Sequence, residues 1–368
     1  MIKLANPDIT SKEINAVVRV LKSGTLSLGP ELEAFESDFA RYVGRRHALA
    51  VSSGTAGLHL AVNALGLGPG DRVITTPYSF IASVNCILYQ GAQPVLADID
   101  PQTLNLDPVL AAKKIDRRTR ALLPVDVFGL PADYKSFETL ARRHRLHLIE
   151  DSCEALGAEY HGKKCGAFGN VAVFGFYPNK QITTGEGGMV LCDNERLYQK
   201  MKALRNQGRS SMGGWLAHHV LGYNYRMSDI GAALGRVQLS RLSGILARRK
   251  KAAGNYGELF AKYLPDFSLL GDFSGMKRSW FVFAVLVPEP MKGKERDRLI
   301  KELQKSGIQC AHYFPALHLQ PALRPLGYRR GDFPVAEDVA DRSLALPFHH
   351  KLSPGDQEKV VKVIRRII

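Results

Sequence analysis

The amino-acid sequence predicts an α/β protein with a mostly parallel sheet that is covered by helices on both faces. Between residues 47 and 151, short apolar runs alternate with stretches of helical periodicity. The runs are continuously apolar, as in strands buried on both faces, whereas half-exposed strands alternate between apolar and polar residues. The regular alternation of such strands with helices is typical of parallel βαβ units.

Two helices are predicted before the first strand. Thr10 and Glu13 have the spacing of a capping box, in which both side chains accept hydrogen bonds from backbone amides at the start of a helix. The helix that follows is predicted to end near Gly24. A second helix is predicted to begin near Pro30 and to end before Gly44.

The remaining elements follow in order along the chain. Predicted strands lie at residues 47–53, 72–76, 94–99, 121–127, 146–151, 171–176 and 188–193, and predicted helices at 56–65, 81–90, 107–114, 132–144, 195–206 and 227–247. The basic run at residues 248–251 is interpreted as a boundary between a large domain, residues 1–247, and a smaller C-terminal α+β domain, residues 248–368. The second domain is predicted to contain a strand at 279–287, helices at 294–305 and 335–343, and a C-terminal helix.

The charge of the chain limits the class of function. Its 368 residues include 50 Lys and Arg against 35 Asp and Glu, a net charge of +15, which suits a nucleic-acid binder, a membrane-surface protein or an enzyme for anionic substrates. The basic residues form short clusters without interleaved aromatics, a zinc finger or a helix-turn-helix, which favours solvated helix ends over a nucleic-acid interface. Charge reversal at residues 248–251 is therefore expected to alter solubility more than turnover.

The sequence favours a cytoplasmic protein that binds neither metal nor membrane. Its five cysteines are odd in number and contain no CxxC, so neither a disulfide framework nor a zinc site is predicted. No apolar segment resembles a signal peptide, and none approaches the roughly 20 residues that cross a bilayer.

Three loops contain residues whose chemistry fits one site. Residues 52–57 follow a predicted strand and open a helix, so their amides suit an anion, although this segment alone is more typical of a plain helix cap. Asp151 ends a buried strand, where α/β sheets place ligands; its alternative is a structural salt bridge or cap. Lys180 precedes a glycine-rich turn and suits a Schiff-base nucleophile, unless it is an ordinary solvated lysine beside a hairpin. An anion cradle, a carboxylate and a Schiff-base lysine are together the parts that pyridoxal 5'-phosphate (PLP) requires.

Three long segments resemble the DegT/StrS family of PLP-dependent nucleotide-sugar aminotransferases. They are SSGTAGLHLAVNALGLGPGDRVITTPYSFIASVN, EDSCEALGAEYHGKKCGAFGNVAVFGFYPNKQITTGEGGMV and LGYNYRMSDIGAALGRVQL. The likeness extends from residue 23 to residue 347. It implies the aspartate-aminotransferase-like fold type I, with a mixed, mostly parallel seven-stranded sheet, helices on both faces and a smaller C-terminal α+β domain.

The resemblance also implies cofactor-binding roles. Lys180 matches the catalytic lysine that forms the Schiff base, Asp151 the carboxylate that pairs with the pyridine nitrogen, and Phe80 the aromatic ring stacked on the cofactor, unless Phe80 is a core residue. The phosphate cradle is assigned to Gly54, Thr55 and Ala56.

Four further residues match positions near the substrate or the second subunit. Asn224 matches an asparagine that reaches the phosphate bound by the other subunit, which implies a homodimer with active sites at the interface. Arg226 matches a residue for a substrate carboxylate or phosphate, with a structural ion pair as its alternative. His312 and Tyr313 match the part of the small domain that approaches the sugar.

The chain departs from the family pattern at two positions. Where members often have a serine that binds the phosphate, this chain has Gly175, and backbone amides or Ser52 and Ser53 are the candidate substitutes. Where members often have Gln or His in contact with the cofactor hydroxyl, this chain has Glu154. Glu154 is expected to donate a hydrogen bond to the cofactor. Its alternatives are to act on the cofactor through a neighbouring residue, or to lie outside direct contact with the cofactor.

The resemblance implies transfer of an amino group, with L-glutamate as the expected donor, to the keto group of a nucleotide-linked deoxysugar for cell-surface polysaccharide or related glycan biosynthesis. Pyridoxamine 5'-phosphate (PMP) is then the form of the cofactor that holds the amino group. Lys180 argues against the sugar dehydratases of the same fold, which have histidine in its place. Two alternatives stay open: a PLP enzyme for a non-nucleotide substrate such as a cyclitol, and a non-catalytic regulatory or binding protein.

Overall fold

The structure, a computed structural model, describes residues 1–209 and 217–368. Its helices are α1 Ser11–Ser23, α2 Pro30–Val43, α3 Gly54–Ala64, α4 Ala82–Leu88, α5 Pro108–Lys113, α6 Tyr134–His144, α7 Glu195–Arg205, α8 Asp229–Ser240, α9 Leu242–Tyr263, α10 Lys294–Lys305, α11 Pro334–Arg342 and α12 Pro354–Ile367. Its strands are β1 His47–Val51, β2 Arg72–Thr75, β3 Gln93–Leu96, β4 Thr119–Leu123, β5 His147–Asp151, β6 Glu159–Tyr160, β7 Lys163–Lys164, β8 Val171–Gly175, β9 Gly188–Cys192, β10 Ser268–Leu269, β11 Met276–Lys277, β12 Phe283–Leu286 and β13 Ser343–Leu346.

Seven strands form the main sheet in the order β1-β9-β8-β5-β4-β2-β3. β9 runs antiparallel to β1 and β8, and the other neighbours are parallel. The mixed, mostly parallel seven-stranded sheet is therefore confirmed.

The order of the strands brings the predicted site residues to one edge of the sheet. β5 and β8 are parallel neighbours, with Asp151 paired to Val173, so the loops that follow both strands leave the same edge. Asp151 ends β5, and Lys180 lies in the loop after β8. This edge is where open α/β sheets bind ligands.

The N-terminal helix begins and ends as its sequence predicts. Glu13 accepts a hydrogen bond from the Thr10 amide at 2.8 Å, which completes the capping box. Gly24 closes the helix in the left-handed conformation at φ 74°, where a side chain would be strained.

A second core lies in the C-terminal part of the chain. It includes a three-stranded sheet, β10-β12-β13, together with α9 and α12. The N-terminus joins this core, because Ile2 donates to Gly307 O at 2.8 Å and Phe348 donates to Leu4 O at 2.9 Å. Residues at both ends of the sequence therefore belong to one packed unit.

The predicted domain boundary falls inside a continuous helix. The single helix predicted at 227–247 is two helices, α8 and α9, that meet at Arg241, and α9 continues to Tyr263. The division at residue 247 stays a prediction. The expectation that residues 248–251 form a solvated cluster is wrong for Arg249, which is 7% exposed, because its guanidinium donates to backbone carbonyls below the helix.

In the part of the chain that the structure describes, every helix is too short or too polar to cross a membrane.

Candidate active site

A cavity of about 740 Å³ opens beside the carboxyl ends of β5 and β8 and the start of α3. The predicted site residues that line it are Gly54, Thr55, Phe80, Asp151, Glu154, Lys180, His312 and Tyr313. Ala56, Asn224 and Arg226 are not among its lining residues. The structure thus brings together eight of the eleven predicted residues.

Asp151 lies at the bottom of the cavity and is 3% exposed. Its carboxylate accepts hydrogen bonds from Ser83 Oγ at 2.7 Å and from the Cys153 amide at 3.2 Å. Burial raises the pKa of Asp151 above its usual range, because the charged form loses water. Among the described residues no cationic side chain forms an ion pair with it, so this carboxylate fits a cationic ligand group such as a protonated pyridine nitrogen.

The start of α3 forms the anion cradle. Ser53 caps the helix by accepting a hydrogen bond from the Ala56 amide at 3.0 Å, so that amide is already used. The amides of Gly54 and Thr55 have no acceptor within the described residues, and both residues line the cavity. The Ala56 amide binds its own cap, which leaves Gly54 and Thr55 as the available donors, and the assignment of Ala56 to the cradle stays a prediction.

Two glycines make room at this cradle. A Cβ atom on Gly54 would lie 2.9 Å from Cys153 Sγ and 3.3 Å from Gly175 Cα, so a side chain there would push α3 away from β8. A Cβ atom on Gly175 would meet Cys153 only at 3.6 Å, an ordinary contact. Position 175 therefore has space for the serine that other family members have.

Lys180 is half-buried, with its ammonium group between a carboxylate and an aromatic ring. Nζ lies 3.6 Å from Glu154 Oε1 and 3.9 Å from the centre of the Phe281 ring. The other oxygen of Glu154 accepts a hydrogen bond from the Phe128 amide at 2.9 Å. Burial raises the pKa of Glu154, and the nearby Lys180 partly opposes that shift.

Phe80 is a surface residue of the cavity. Its side chain is 59% exposed and lines the cavity near Asp151 and Lys180, so the alternative that it is a core residue is wrong. An exposed aromatic ring beside a cavity has a free face on which a planar ligand can stack.

His312 and Tyr313 line the opposite wall. His312 Nε2 lies 2.7 Å from Ala340 O and donates to it, which leaves Nδ1 for another partner, and burial lowers the pKa of this imidazole. The Tyr313 hydroxyl accepts a hydrogen bond from Asn179 Nδ2 at 3.4 Å.

Asn224 and Arg226 lie outside the cavity on the segment that follows the undescribed residues. Asn224 is exposed, and its neighbours pair with residues 204–207. Arg226 donates to Asn206 Oδ1 at 2.7 Å and to Gln207 Oε1 at 2.9 Å. Its partners are thus amide oxygens and not the carboxylate that a structural ion pair would require.

Sequence reasoning missed three side chains that contact the predicted site. Ser83 binds the Asp151 carboxylate, Phe281 contacts Lys180 Nζ, and Arg249 Nη2 donates to the Lys180 carbonyl at 3.1 Å. None belongs to a local pattern around Asp151 or Lys180. The apolar run at 279–287 indicated a buried segment, and Phe281 lies in it, just before β12 begins at Phe283.

The residues present fit PLP. A buried carboxylate without an ion pair suits the ring nitrogen, free helix amides suit the phosphate, and a half-buried lysine suits the aldehyde. On this sheet, the arrangement defines a fold type I PLP-dependent aminotransferase. Residues 7–365 match the DegT/DnrJ/EryC1/StrS aminotransferase family, and the chain belongs to that family.

Comparisons with known proteins agree with this assignment. The chain is 37% identical over 374 residues to the GDP-perosamine synthase of Caulobacter vibrioides, which covers 100% of this chain and 98% of that protein. Its structure resembles Streptomyces venezuelae DesV in complex with a ketimine intermediate, with a TM-score of 0.90, 36% identity and coverage of 97% and 94% of the two chains. It also resembles Streptococcus pneumoniae Spr1654 in its PLP form, with a TM-score of 0.94, 29% identity and coverage of 100% and 98%.

Proposed function

We propose that this aminotransferase moves an amino group from L-glutamate to the keto group of a nucleotide-linked deoxysugar. The observation that supports the proposal most is one cavity that contains Lys180, Asp151 and the free amides of α3. The similarity to GDP-perosamine synthase supports a nucleotide sugar as the acceptor. The amino sugar is proposed to enter cell-surface polysaccharide or related glycan biosynthesis in the cytoplasm.

Each residue of the cavity has a proposed task. Bound PLP supplies an electron sink, and Asp151 keeps the ring nitrogen protonated. Gly54 and Thr55 bind the phosphate through their amides. Lys180 Nζ removes a proton from the donor carbon and later delivers one to the sugar carbon.

Glu154 and Phe80 are proposed to orient the cofactor. The Phe80 ring covers one face of the cavity and stacks on the ring of the cofactor. Glu154 has one oxygen bound to the Phe128 amide and the other directed to Lys180, so it binds the cofactor hydroxyl as a donor when protonated. Burial, which raises the pKa of Glu154, favours that protonated form.

A homodimer is part of the proposal. Helix α1 and the loop after it expose apolar side chains, including Ile14 at 55%, Leu21 at 53% and Leu28 at 48%. Asn224 is exposed and does not line the cavity of its own chain. A second copy that covers this surface would bring Asn224 to the phosphate of the other subunit, where Arg226 would also approach the substrate.

The substrate is tested with a panel of UDP-, dTDP- and GDP-linked keto-sugars. Each is incubated with holoenzyme and L-glutamate, and mass spectrometry detects the amino sugar. Amination of one nucleotide keto-sugar and not of a free keto-cyclitol is the expected result. Amination of the cyclitol alone would replace the proposed substrate class, and binding of PLP without turnover on any acceptor would favour the non-catalytic alternative.

A further inference from the structure

The side chain of Arg249 lies beneath the loop that holds Lys180. It projects from α9 and is 7% exposed, although its neighbours Arg248 and Lys250 are exposed. Its guanidinium donates to three backbone carbonyls: Trp280 O at 3.2 Å, Phe281 O at 3.0 Å and Lys180 O at 3.1 Å. Arg249 thus contacts both chain segments that meet at the lysine ammonium.

The charge of Arg249 has no carboxylate partner within ion-pair distance among the described residues. Asp8, whose charge acts on Arg249 from beyond ion-pair distance, forms ion pairs with Arg241 and Arg248 instead. Burial lowers the pKa of Arg249 to about 10. The guanidinium donates hydrogen bonds to neutral carbonyls and lies 5.5 Å from the centre of the Phe348 ring. A buried cation without a carboxylate partner costs free energy of desolvation, and the fold accepts that cost where Arg249 connects these segments.

Two of the three carbonyls that Arg249 binds belong to residues in contact at the site, Phe281 and Lys180. The Phe281 ring lies 3.9 Å from Lys180 Nζ, and the same guanidinium fixes the backbone of both residues. Gln181 extends this connection, since its side-chain amide donates to Glu154 O and to Ser279 O at 2.7 Å. Arg249 therefore connects the backbone of Lys180 to that of Phe281. Gln181, the next residue after Lys180, connects the backbone of Glu154 to that of Ser279.

We propose that Arg249 is a positioning residue that holds Lys180 Nζ between the Glu154 carboxylate and the Phe281 ring, at the distance needed to react with the cofactor. The inference rests on the proposed role of Lys180. It goes beyond that role by assigning a function in the site to a residue of α9. Small displacements of a reacting group reduce rates steeply, by roughly 100-fold per ångström.

The test compares Arg249→Met and Arg249→Lys with the control Lys250→Met. The control removes the same charge from the adjacent, exposed position of the same helix. Full-length protein freed of cofactor is mixed with PLP, the Schiff base is fixed with borohydride at set times, and mass spectrometry measures PLP on Lys180. Visible circular dichroism of the bound PLP and thermal unfolding are recorded on the same samples.

Arg249→Met is expected to form the bond at Lys180 roughly 10- to 100-fold more slowly and to have a weaker dichroic signal. Arg249→Lys should be intermediate, because one ammonium cannot reach all three carbonyls, and Lys250→Met should match the wild type. If Arg249→Met is too unstable to purify, Arg249→Lys and Phe281→Leu provide the test, and both should slow the reaction.

Normal rates and dichroism in the Arg249 variants, with only a lower unfolding temperature, would show that Arg249 is merely structural and would overturn the inference. A wild type that never forms the bond at Lys180 would instead overturn the proposed role of Lys180, and with it this inference. The two failures are therefore distinguishable.

Discussion

Glu154 Oε1 lies 3.6 Å from Lys180 Nζ in a part of the cavity where both side chains are largely shielded from water. In water such a pair contributes little, but shielding from solvent strengthens the attraction. The protonation of Glu154 therefore affects the lysine that is proposed to do the chemistry. This pair distinguishes the chain from family members that have Gln or His at this position.

Glu154→Gln tests whether that carboxyl group titrates in the site. Burial raises the pKa of Glu154 above its usual value of 4.5, so the wild type should show a change in PLP absorbance with a midpoint above pH 4.5. The variant cannot titrate there and should lack that step, although its amide can still donate to the cofactor hydroxyl. PLP affinity should change by less than about 10-fold, the worth of one hydrogen bond. An identical absorbance titration in both proteins would contradict the prediction.

Asp151→Asn should separate stability from activity. The amide is nearly the same size and keeps a contact with Ser83 Oγ, but it removes a buried charge. We expect the cofactor-free variant to unfold at an equal or higher temperature at pH 7, because desolvation of the carboxylate no longer opposes folding. Turnover should fall at least about 100-fold, as expected when preorganised charge stabilisation is lost. A variant with lower stability and normal turnover would contradict this prediction. Asp266→Asn, at an exposed position, is the control.

Gly175→Ser should tighten PLP binding. Position 175 has space for a Cβ atom, with the nearest contact at 3.6 Å, and the added hydroxyl would face the cradle. One added hydrogen bond to a charged phosphate corresponds to a Kd lowered by roughly 10-fold. Gly175→Ala, which adds only the Cβ atom, is the control, and Gly54→Ala should weaken binding because its Cβ atom would lie 2.9 Å from Cys153 Sγ. Equal Kd values for the Ser and Ala variants in equilibrium dialysis would refute the account of this position.

Two buried carboxyl groups beneath the site should make stability depend on pH. Ser152 Oγ lies 2.6 Å from Asp126 Oδ2 and 2.8 Å from Glu150 Oε1. The Ser152 hydroxyl can donate its single proton to only one of these two oxygens. The other contact is a hydrogen bond only if the carboxyl group is protonated and donates to Ser152 Oγ. Burial and the nearby Asp126 raise the pKa of Glu150, to about 8.

A raised pKa in the folded state stabilises the protein below the unfolded pKa, and that stability is lost as the pH rises through the folded value. The free energy of unfolding should therefore fall from about pH 4.5 to about pH 8, at no more than about 1.4 kcal/mol per pH unit for this group. Glu150→Gln should flatten the profile in urea titrations, whereas the exposed control Glu33→Gln should not. A Glu150→Gln profile with the wild-type slope would mean that Glu150 is ionised throughout.

The sequence predicted the residues that lie next to strand ends. Asp151 and Lys180 were found because each follows a continuous apolar run, and the carboxyl ends of parallel strands meet at one edge. The Gly54 amide was found because a strand–helix junction exposes backbone donors. These features are local, so pattern and chemistry were sufficient to place them.

The side chains that support those residues were not predictable in the same way. Arg249 belongs to a run of four basic residues, and nothing in the run indicates which one turns inward. Phe281 lies in an apolar strand segment whose pattern predicts burial but not contact with Lys180. Ser83 lies in α4 and reaches Asp151 at the end of β5. Such contacts depend on how elements that are distant in the sequence pack together. The apolar periodicity of a segment predicts which residues are buried but not which residues they contact.

The central claim is that Lys180 transfers the proton in an amino-group transfer to a nucleotide keto-sugar. The most direct measurement follows ¹⁵N from labelled L-glutamate into the sugar nucleotide by mass spectrometry, for the wild type, Lys180→Ala and the exposed control Lys251→Ala. We predict label in the product of the wild type and the control and none with Lys180→Ala, which should still bind PLP non-covalently. Label transfer by Lys180→Ala at the wild-type rate would contradict the account.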